Sequence, residues 1–328
     1  MPGEFELIQR YFGDRAQTNL RQEVVLGIGD DAAITSIPEG LQLVTTTDVL
    51  VEDVHFPRHT SAADIAYKAL AVNLSDLAAM GAEPCWFTLT LSMPTADTSW
   101  LQEFSEGLFA IAESFDVALI GGDTVRGPLV VGIQACGLVP QGKALLRSGA
   151  KAGDAIYVSG TLGDATLALQ CLDGVIQLDK EERAMVMQKL NRPLPCVAQG
   201  KSLRDVANSC IDISDGLAAD LNHILEASHV GATVQQGDIP LSPIYRKYMD
   251  KIPNRLSAIT SGDDYELCFT VPSDRIDMLD GLVKNKTGLF TRIGTIETEP
   301  GLRVCDTEGK VISIGQSGHD HFHEASNY

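Results

Sequence analysis

The chain has 328 residues, enough for two domains and for a core that needs no disulfide staples. Hydrophobic residues make up 44% and charged residues 21%, a globular composition that excludes a disordered or collagen-like chain. With 44 acids against 25 Lys and Arg the formal charge is −19, which excludes a dedicated binder of nucleic acid or of anionic membranes. Two readings of that charge stay open: an acidic solvated surface, or carboxylates gathered to hold cations.

The opening MPGEFELIQRYF carries two acids before its first Arg and no apolar core, so a signal peptide is not expected. No apolar run approaches the roughly 18 residues of a membrane span. The seven cysteines contain no C-x-x-C pair and read as buried free thiols in a reducing cytoplasm. Short strand-like runs then alternate with amphipathic stretches, the pattern of a mixed α/β protein. LQLVTTTD (41–48) and CWFTLTLS (85–92) read as strands. Between them SAADIAYKALAVNLSDLAAMG (61–81) reads as a helix, opened by Ser61 and Asp64 and stopped by Gly81. A second helix is predicted over 99–115, leading into VALIGGD (117–123) and VVGIQACGLV (130–139). The polar stretch 140–154 marks a domain boundary, giving an N-terminal domain over 1–140 and a C-terminal one over 150–328. The second begins at the strand AIYVSG.

Six segments place Asp beside Gly, Thr or Ser where an apolar run ends or a helix begins: GIGDDAA (27–33), TTTDVLVEDVHF (45–56), NLSDLAAMGA (73–82), IGGDTVRG (120–127), IDISDGLAADL (211–221) and SGDDYEL (261–267). Each alone is ordinary turn chemistry. Together, at the mouths of buried elements, they point to a polyvalent metal site. Ile65, Ala69, Val72 and Asp76 follow helical spacing, so Asp76 sits on an apolar stripe and needs a partner. In IDISDG, Ile211 and Ile213 share one strand face and Asp212 and Ser214 the other. Asp215 stands at a helix start, where a cap and a metal ligand are equally consistent. The glycines before Asp123 would let a phosphate approach the backbone. Oxygen-only ligands at such positions suit magnesium or manganese.

GIGDDA matches a permissive dinucleotide fingerprint, but two aspartates there would repel an unchelated pyrophosphate. Gly200-Lys201-Ser202 lacks the upstream glycine of a P-loop. SGTLGDA (159–165) is a candidate anion-binding turn or a structural one. Arg126 and Arg147 are the basic residues best placed to meet phosphate, and His55 lies just past the TTTD strand end.

The ordered set GIGDD, TTTD, KALAVNLSDLAAMGA, GGDT-x-RG, RSGAK-x-GD, ID-SDGL and DYELCFTV resembles the thiamine-monophosphate kinases, a branch of the aminoimidazole-ribonucleotide-synthetase superfamily, from residue 3 to residue 322. The resemblance implies a two-domain α/β (mixed α+β) architecture, a homodimer paired through N-terminal domains, and ATP with several Mg2+ ions in an interdomain cleft. It implies direct transfer of the γ-phosphoryl group to thiamine monophosphate, the last step of thiamine diphosphate biosynthesis. On matching motifs it assigns Asp31, Thr46, Thr47, Asp48, Asp76, Asp123, Asp212 and Asp215 as metal ligands, some through backbone oxygen, with Asp30 behind them. Asp48, Asp76, Asp123 and Asp212 would carry catalysis, Gly122, Asp123, Arg147 and Ser214 the nucleotide, and His55, Asp263 and His319 the substrate. Two positions depart from the family: Asp263 replaces its usual Glu, and His319 stands where it usually has Tyr or Trp. Two alternatives stay open, a superfamily enzyme with another acceptor and a non-catalytic nucleotide- or metal-sensing module. A selenophosphate synthetase is disfavoured, since the first cysteine is Cys85.

Overall fold

The computed structural model describes residues 4–17, 21–284 and 289–314. The chain divides into two units, Met1–Ala144 with Asn191–Lys201, and Leu145–Leu190 with Ser202–Tyr328.

In the first unit, β1 (Val24–Leu26) and β2 (Ile34–Thr35) form a small hairpin. The main elements are β3 (Leu41–Val51), α1 (Ala62–Ala79), β4 (Glu83–Met93), α2 (Thr98–Ser114), β5 (Ala118–Arg126) and β6 (Val130–Pro140). The four long strands make a sheet of order β3-β6-β4-β5, antiparallel except for the β4–β5 pair. α1 starts where expected: Ser61 accepts the Asp64 amide at 3.1 Å, and Gly81 ends the helix at φ +64°. Its stripe residues Ile65, Ala69 and Val72 are buried, and so are its neighbours Asn73 and Ser75.

Residues 191–201 were placed by sequence in the C-terminal domain, yet they cluster with the first unit. The physical reason is local. A Cβ on Gly200 would stand 1.9 Å from the Ala78 carbonyl, so only glycine lets this segment lie against α1. Lys201 pairs with Glu83 at 2.6 Å, and Arg192 pairs with Asp64. Gly200 therefore has a packing role with no phosphate involved.

In the second unit the elements are β7 (Ala155–Ser159), α3 (Asp164–Leu172), β8 (Ser209–Asp212), α4 (Leu217–Ser228), β9 (Gly231–Gln235), β10 (Leu267–Val271), β11 (Phe290–Glu297), β12 (Gly301–Cys305) and β13 (Val311–Ile312). They form a seven-stranded sheet of order β13-β12-β9-β11-β7-β10-β8, in which β9 and β12 run parallel. Ile211 and Ile213 share a core with Leu217, Leu221 and Ile224 of α4, which sets Asp212 on the other strand face. Among the described residues no helix is long and apolar enough to cross a membrane. All seven cysteines are free, and all but Cys171 are buried. Burial lifts the Cys85 thiol to about 11 and pushes Cys268 up further, so neither is poised as a nucleophile.

Candidate functional site

In the first unit the GIGDD loop and the GGD stretch in the middle of β5 face one cavity of about 880 Å3, lined among others by Gly29, Asp30, Asp31, Gly121, Gly122 and Asp123. All three aspartates are exposed. Asp30 Oδ1 accepts the Asp31 amide at 2.8 Å, a local turn that turns the loop back on itself. The two glycines of β5 differ. A Cβ on Gly122 would stand 2.0 Å from the Leu89 carbonyl of β4, so its requirement for glycine comes from strand packing and not from a phosphate. A Cβ on Gly121 would meet nothing closer than 3.9 Å, leaving Gly121 the one with room for a ligand beside it.

β3 presents Thr46 and Thr47 to opposite faces of the sheet, as strand alternation demands. Thr46 donates its hydroxyl to Asp76 Oδ2 of α1, giving the stripe carboxylate the partner it needed. Thr47 donates to the Ile133 carbonyl at 3.1 Å. Their side chains therefore cannot serve one ion together, and Thr47 could contribute only its backbone oxygen. Asp48, half-buried, lies on the Thr46 face. His55 is tied into its own turn: Nδ1 accepts the Val51 amide at 3.0 Å, and its carbonyl accepts from Lys68. In the neutral ring the proton then sits on Nε2.

In the second unit Asp212, buried, ends β8 opposite Leu267 of β10. The loop after it corrects the sequence reading. Gly216, not Asp215, is the N-cap of α4, and no side chain caps the helix from outside. Instead Asp220, in the first turn of α4, reaches back. Its Oδ2 accepts the amides of Ser214, Asp215 and Gly216 at 3.0, 3.1 and 3.1 Å. Burial, followed by the Asp215 carboxylate, pushes Asp220 up to about 7 against the pull of those amides. Asp220 was not singled out from the sequence. The signal was there, since Leu217, Asp220, Leu221 and Ile224 share a helical stripe, the spacing that marked Asp76.

The expected anion turn at 159–165 is likewise filled by the protein itself: the Gly163 amide donates to Asp264 Oδ1 at 2.8 Å. Asp264 Oδ2 is buried with no hydrogen-bond partner among the described residues. Burial raises Asp264 well above the usual carboxylate range, and Asp164 is raised for the same first reason. On either side of it, Asp263 and Tyr265 hold positive φ, +69° and +51°. Backbone bonds from Asp263 to the Ser214 carbonyl and from Tyr265 to the Ile213 carbonyl, both 2.8 Å, impose that strained shape. The Tyr265 hydroxyl donates to Asp263 Oδ1 at 3.1 Å. Arg147 is exposed, with its carbonyl accepting from Ser228. His319 lies outside the described residues.

Among the described residues no three His, Cys, Asp or Glu side chains are gathered as a ready metal cage. Magnesium needs none: it takes one or two carboxylates and keeps water and phosphate oxygens for the rest. Oxygen donors spaced along a cavity wall, as Asp30, Asp31 and Asp123 are, fit it.

Both halves of the chain match family models, "AIR synthase related protein, N-terminal domain" over residues 29–139 and its C-terminal counterpart over 151–306. The thiamine-monophosphate kinase of Escherichia coli K12 is 45% identical over 321 residues, covering 98% of each chain. This chain belongs to the thiamine-monophosphate kinase family. The crystal structure of the family member from Stenotrophomonas maltophilia superposes with a TM-score of 0.85 at 44% identity, covering 92% of this chain and 97% of that one. A further structural relative, AaThiL complexed with AMPPCP and TMP, has a TM-score of 0.77 at 31% identity, covering 98% and 97%. The family therefore spans both units and all six acidic motifs.

Proposed function

We propose that this chain transfers the γ-phosphoryl group of ATP to the phosphate of thiamine monophosphate, giving thiamine diphosphate and ADP. The observation that carries the reading is the first unit's cavity, where among the described residues aspartates alone supply the charged side chains. The acceptor is already an anionic oxygen, so positioning and charge neutralisation suffice. The obstacle is repulsion, about 4 kcal/mol for each pair of unit charges ~4 Å apart at an effective dielectric of ~20. Magnesium, when bound, neutralises charge on the donor and acceptor phosphates. Asp31, Asp48, Asp76 and Asp123, with Thr46, the Thr47 backbone oxygen and Asp30 behind them, would hold it in the first unit, and Asp212 and Asp215 in the second. Arg147, Ser214 and the backbone beside Gly121 and Gly122 would orient the nucleotide. His55, fixed in its turn through Nδ1, would meet the substrate, and Asp263, steadied by Tyr265, would face the cationic thiazolium.

The identity of the acceptor is supported by the E. coli relative and by AaThiL complexed with AMPPCP and TMP. A second copy would cover the open sheet face, where Leu43 and Val49 of β3 point away from α1 and are 41% and 52% exposed. A cytoplasmic location accords with the free cysteines.

The test is ADP release with Mg2+ and ATP, comparing thiamine monophosphate with thiamine and other phosphomonoesters. Release that depends on both Mg2+ and thiamine monophosphate is expected. Unchanged thiamine monophosphate overturns the reading. Asp263 in place of the family's Glu favours one second reading, a shifted acceptor, which the same screen would reveal as preference for another phosphomonoester.

A further inference from the structure

We infer that Asp220 is a positioning residue for the acid-bearing loop 212–216, an internal carboxyl whose oxygen occupies the backbone donors a phosphate would otherwise take. The inference rests on the proposed phosphoryl transfer for its purpose, but its geometry stands apart from it.

The amides of Ser214, Asp215 and Gly216 converge on a single oxygen, Asp220 Oδ2, at 3.0 to 3.1 Å. Three successive N–H groups before a helix form an anion-binding concavity, reinforced by the positive end of the helix dipole. Such a turn ordinarily receives phosphate. Here it is closed from within, because helical side chains lean toward the N-terminus and Asp220, on the buried face of the first turn, is 2% exposed. Gly216 supports the arrangement at φ +117°, where a Cβ would stand 2.9 to 3.1 Å from the backbone of Thr260 and Ser261.

The closure has a chemical consequence. With its amides turned inward onto Asp220, the loop is left with side-chain groups to offer a ligand, the Ser214 hydroxyl and the Asp215 carboxylate. An open amide turn at this place would bind the polyphosphate directly and compete with the metal for it. Asp220 thus fixes both the orientation of the loop and the kind of ligand it accepts, a cation in place of a bare anion.

The test compares wild type with Asp220→Asn, which keeps an acceptor oxygen, and Asp220→Ala, which empties the turn, all at one pH. Amide hydrogen exchange at 214–216 in metal-free protein reads the loop. Mn2+ binding followed by electron paramagnetic resonance reads the cation site without turnover. For Asp220→Ala, faster exchange confined to this loop is expected, with Mn2+ affinity about 10- to 100-fold weaker, as for other residues that orient metal ligands. Added formate should restore part of both, and Asp220→Asn should fall between. Where the thiamine monophosphate assay works, half-saturating Mg2+ should rise more than kcat falls. Unchanged Mn2+ binding in a folded Asp220→Ala overturns the inference. So does exchange that rises uniformly through the second unit without formate rescue, since that marks a purely structural residue. If Asp220→Ala fails to fold, Asp220→Asn with wild-type exchange and Mn2+ affinity overturns it equally. Absence of kinase activity in wild type would sink the proposed function alone, since exchange and Mn2+ binding are read without substrate.

Discussion

The two units handle carboxylates in opposite ways. In the first, Asp30, Asp31 and Asp123 stand exposed along a cavity wall on loops shaped by local turns. In the second, Asp220 and Asp264 are turned inward onto backbone amides, Asp220 onto the loop between Asp212 and α4 and Asp264 onto the turn at Gly163. Exposed acids retain their hydration and cost little to keep charged, so they can exchange water for a hydrated cation. Inward acids contribute shape. Each gives one carboxyl oxygen to backbone N–H groups, which defines the loop before any ligand arrives. The first unit presents its acids to solvent, and the second frames the loops that carry its own.

The largest expected effect falls on the exposed side. Asp123→Asn removes a charge without changing shape, and turnover should fall by about 100- to 1,000-fold, the scale of losing one electrostatic stabiliser. The melting temperature should stay within a degree or two of wild type, since Asp123 is solvent-exposed in β5. Wild-type activity would remove Asp123 from the metal set and with it half of the comparison.

The glycines beside Asp123 come next. Gly122→Ala forces a Cβ to 2.0 Å from the Leu89 carbonyl and should cost about 2 to 4 kcal/mol in urea unfolding through strand displacement. Gly121→Ala meets only ordinary contact at 3.9 Å and should fold normally while raising KM for ATP several-fold. If the two variants behave alike, Gly122 serves the ligand as well as the sheet.

How much of this the sequence disclosed depends on distance along the chain. α1 was legible because Ser61, Asp64, Gly81 and the stripe through Asp76 are local signals within a few helical turns. The strands were legible from apolar runs, but their order was not: β7 lies between β10 and β11, pairings set by packing across more than a hundred residues. The return of 191–201 to the first unit left no mark except Gly200, whose neighbour Ala78 is remote in sequence. Asp215 suggested a cap because Asp-Gly before an apolar run usually is one. Asp220 took that role because it is buried on the same stripe as Leu217 and Leu221, and a buried carboxylate must find donors. The acids that meet solvent were found by motif, and the acids that hold the motif in place needed the fold.

The inward acids also predict a pH dependence. Asp164 and Asp264 are raised by burial, so the folded second unit holds protons that the unfolded chain releases. A raised pKa gives stability that is full below the unfolded value, near about pH 4, and is lost as pH climbs through the folded value. Stability in urea should therefore decline from mildly acid toward alkaline pH, by at most about 1.4 kcal/mol per pH unit for each proton involved. Asp264→Asn should flatten the decline. Glu182 works the other way: Lys247 and Tyr248 hold it low, so its stabilisation is lost only in acid, below the window where Asp264 acts. A profile flat in wild type, or unchanged by Asp264→Asn, would mean that the buried carboxyl finds a partner in both protonation states.

The smallest effect concerns Asp76, a first-unit candidate ligand that takes a side-chain donor. Thr46→Val keeps the shape of the side chain and removes the hydroxyl that reaches Asp76 Oδ2. A hydrogen bond to a charged group lost at a half-buried site should cost about 1 to 2 kcal/mol, because water can reach part of the carboxylate. If Asp76 is oriented by Thr46 as the second unit's loop is by Asp220, half-saturating Mg2+ should also rise, but only a few-fold. Asp76 already lies on a rigid helix, whereas Ser214 and Asp215 lie on a loop with no other support for their amides. Comparing Thr46→Val with Asp220→Ala therefore weighs a donor that trims one ligand against an acceptor that shapes a whole turn. Equal shifts in Mg2+ dependence would erase the distinction between the units. A larger shift for Thr46→Val would reverse it, moving the frame into the first unit.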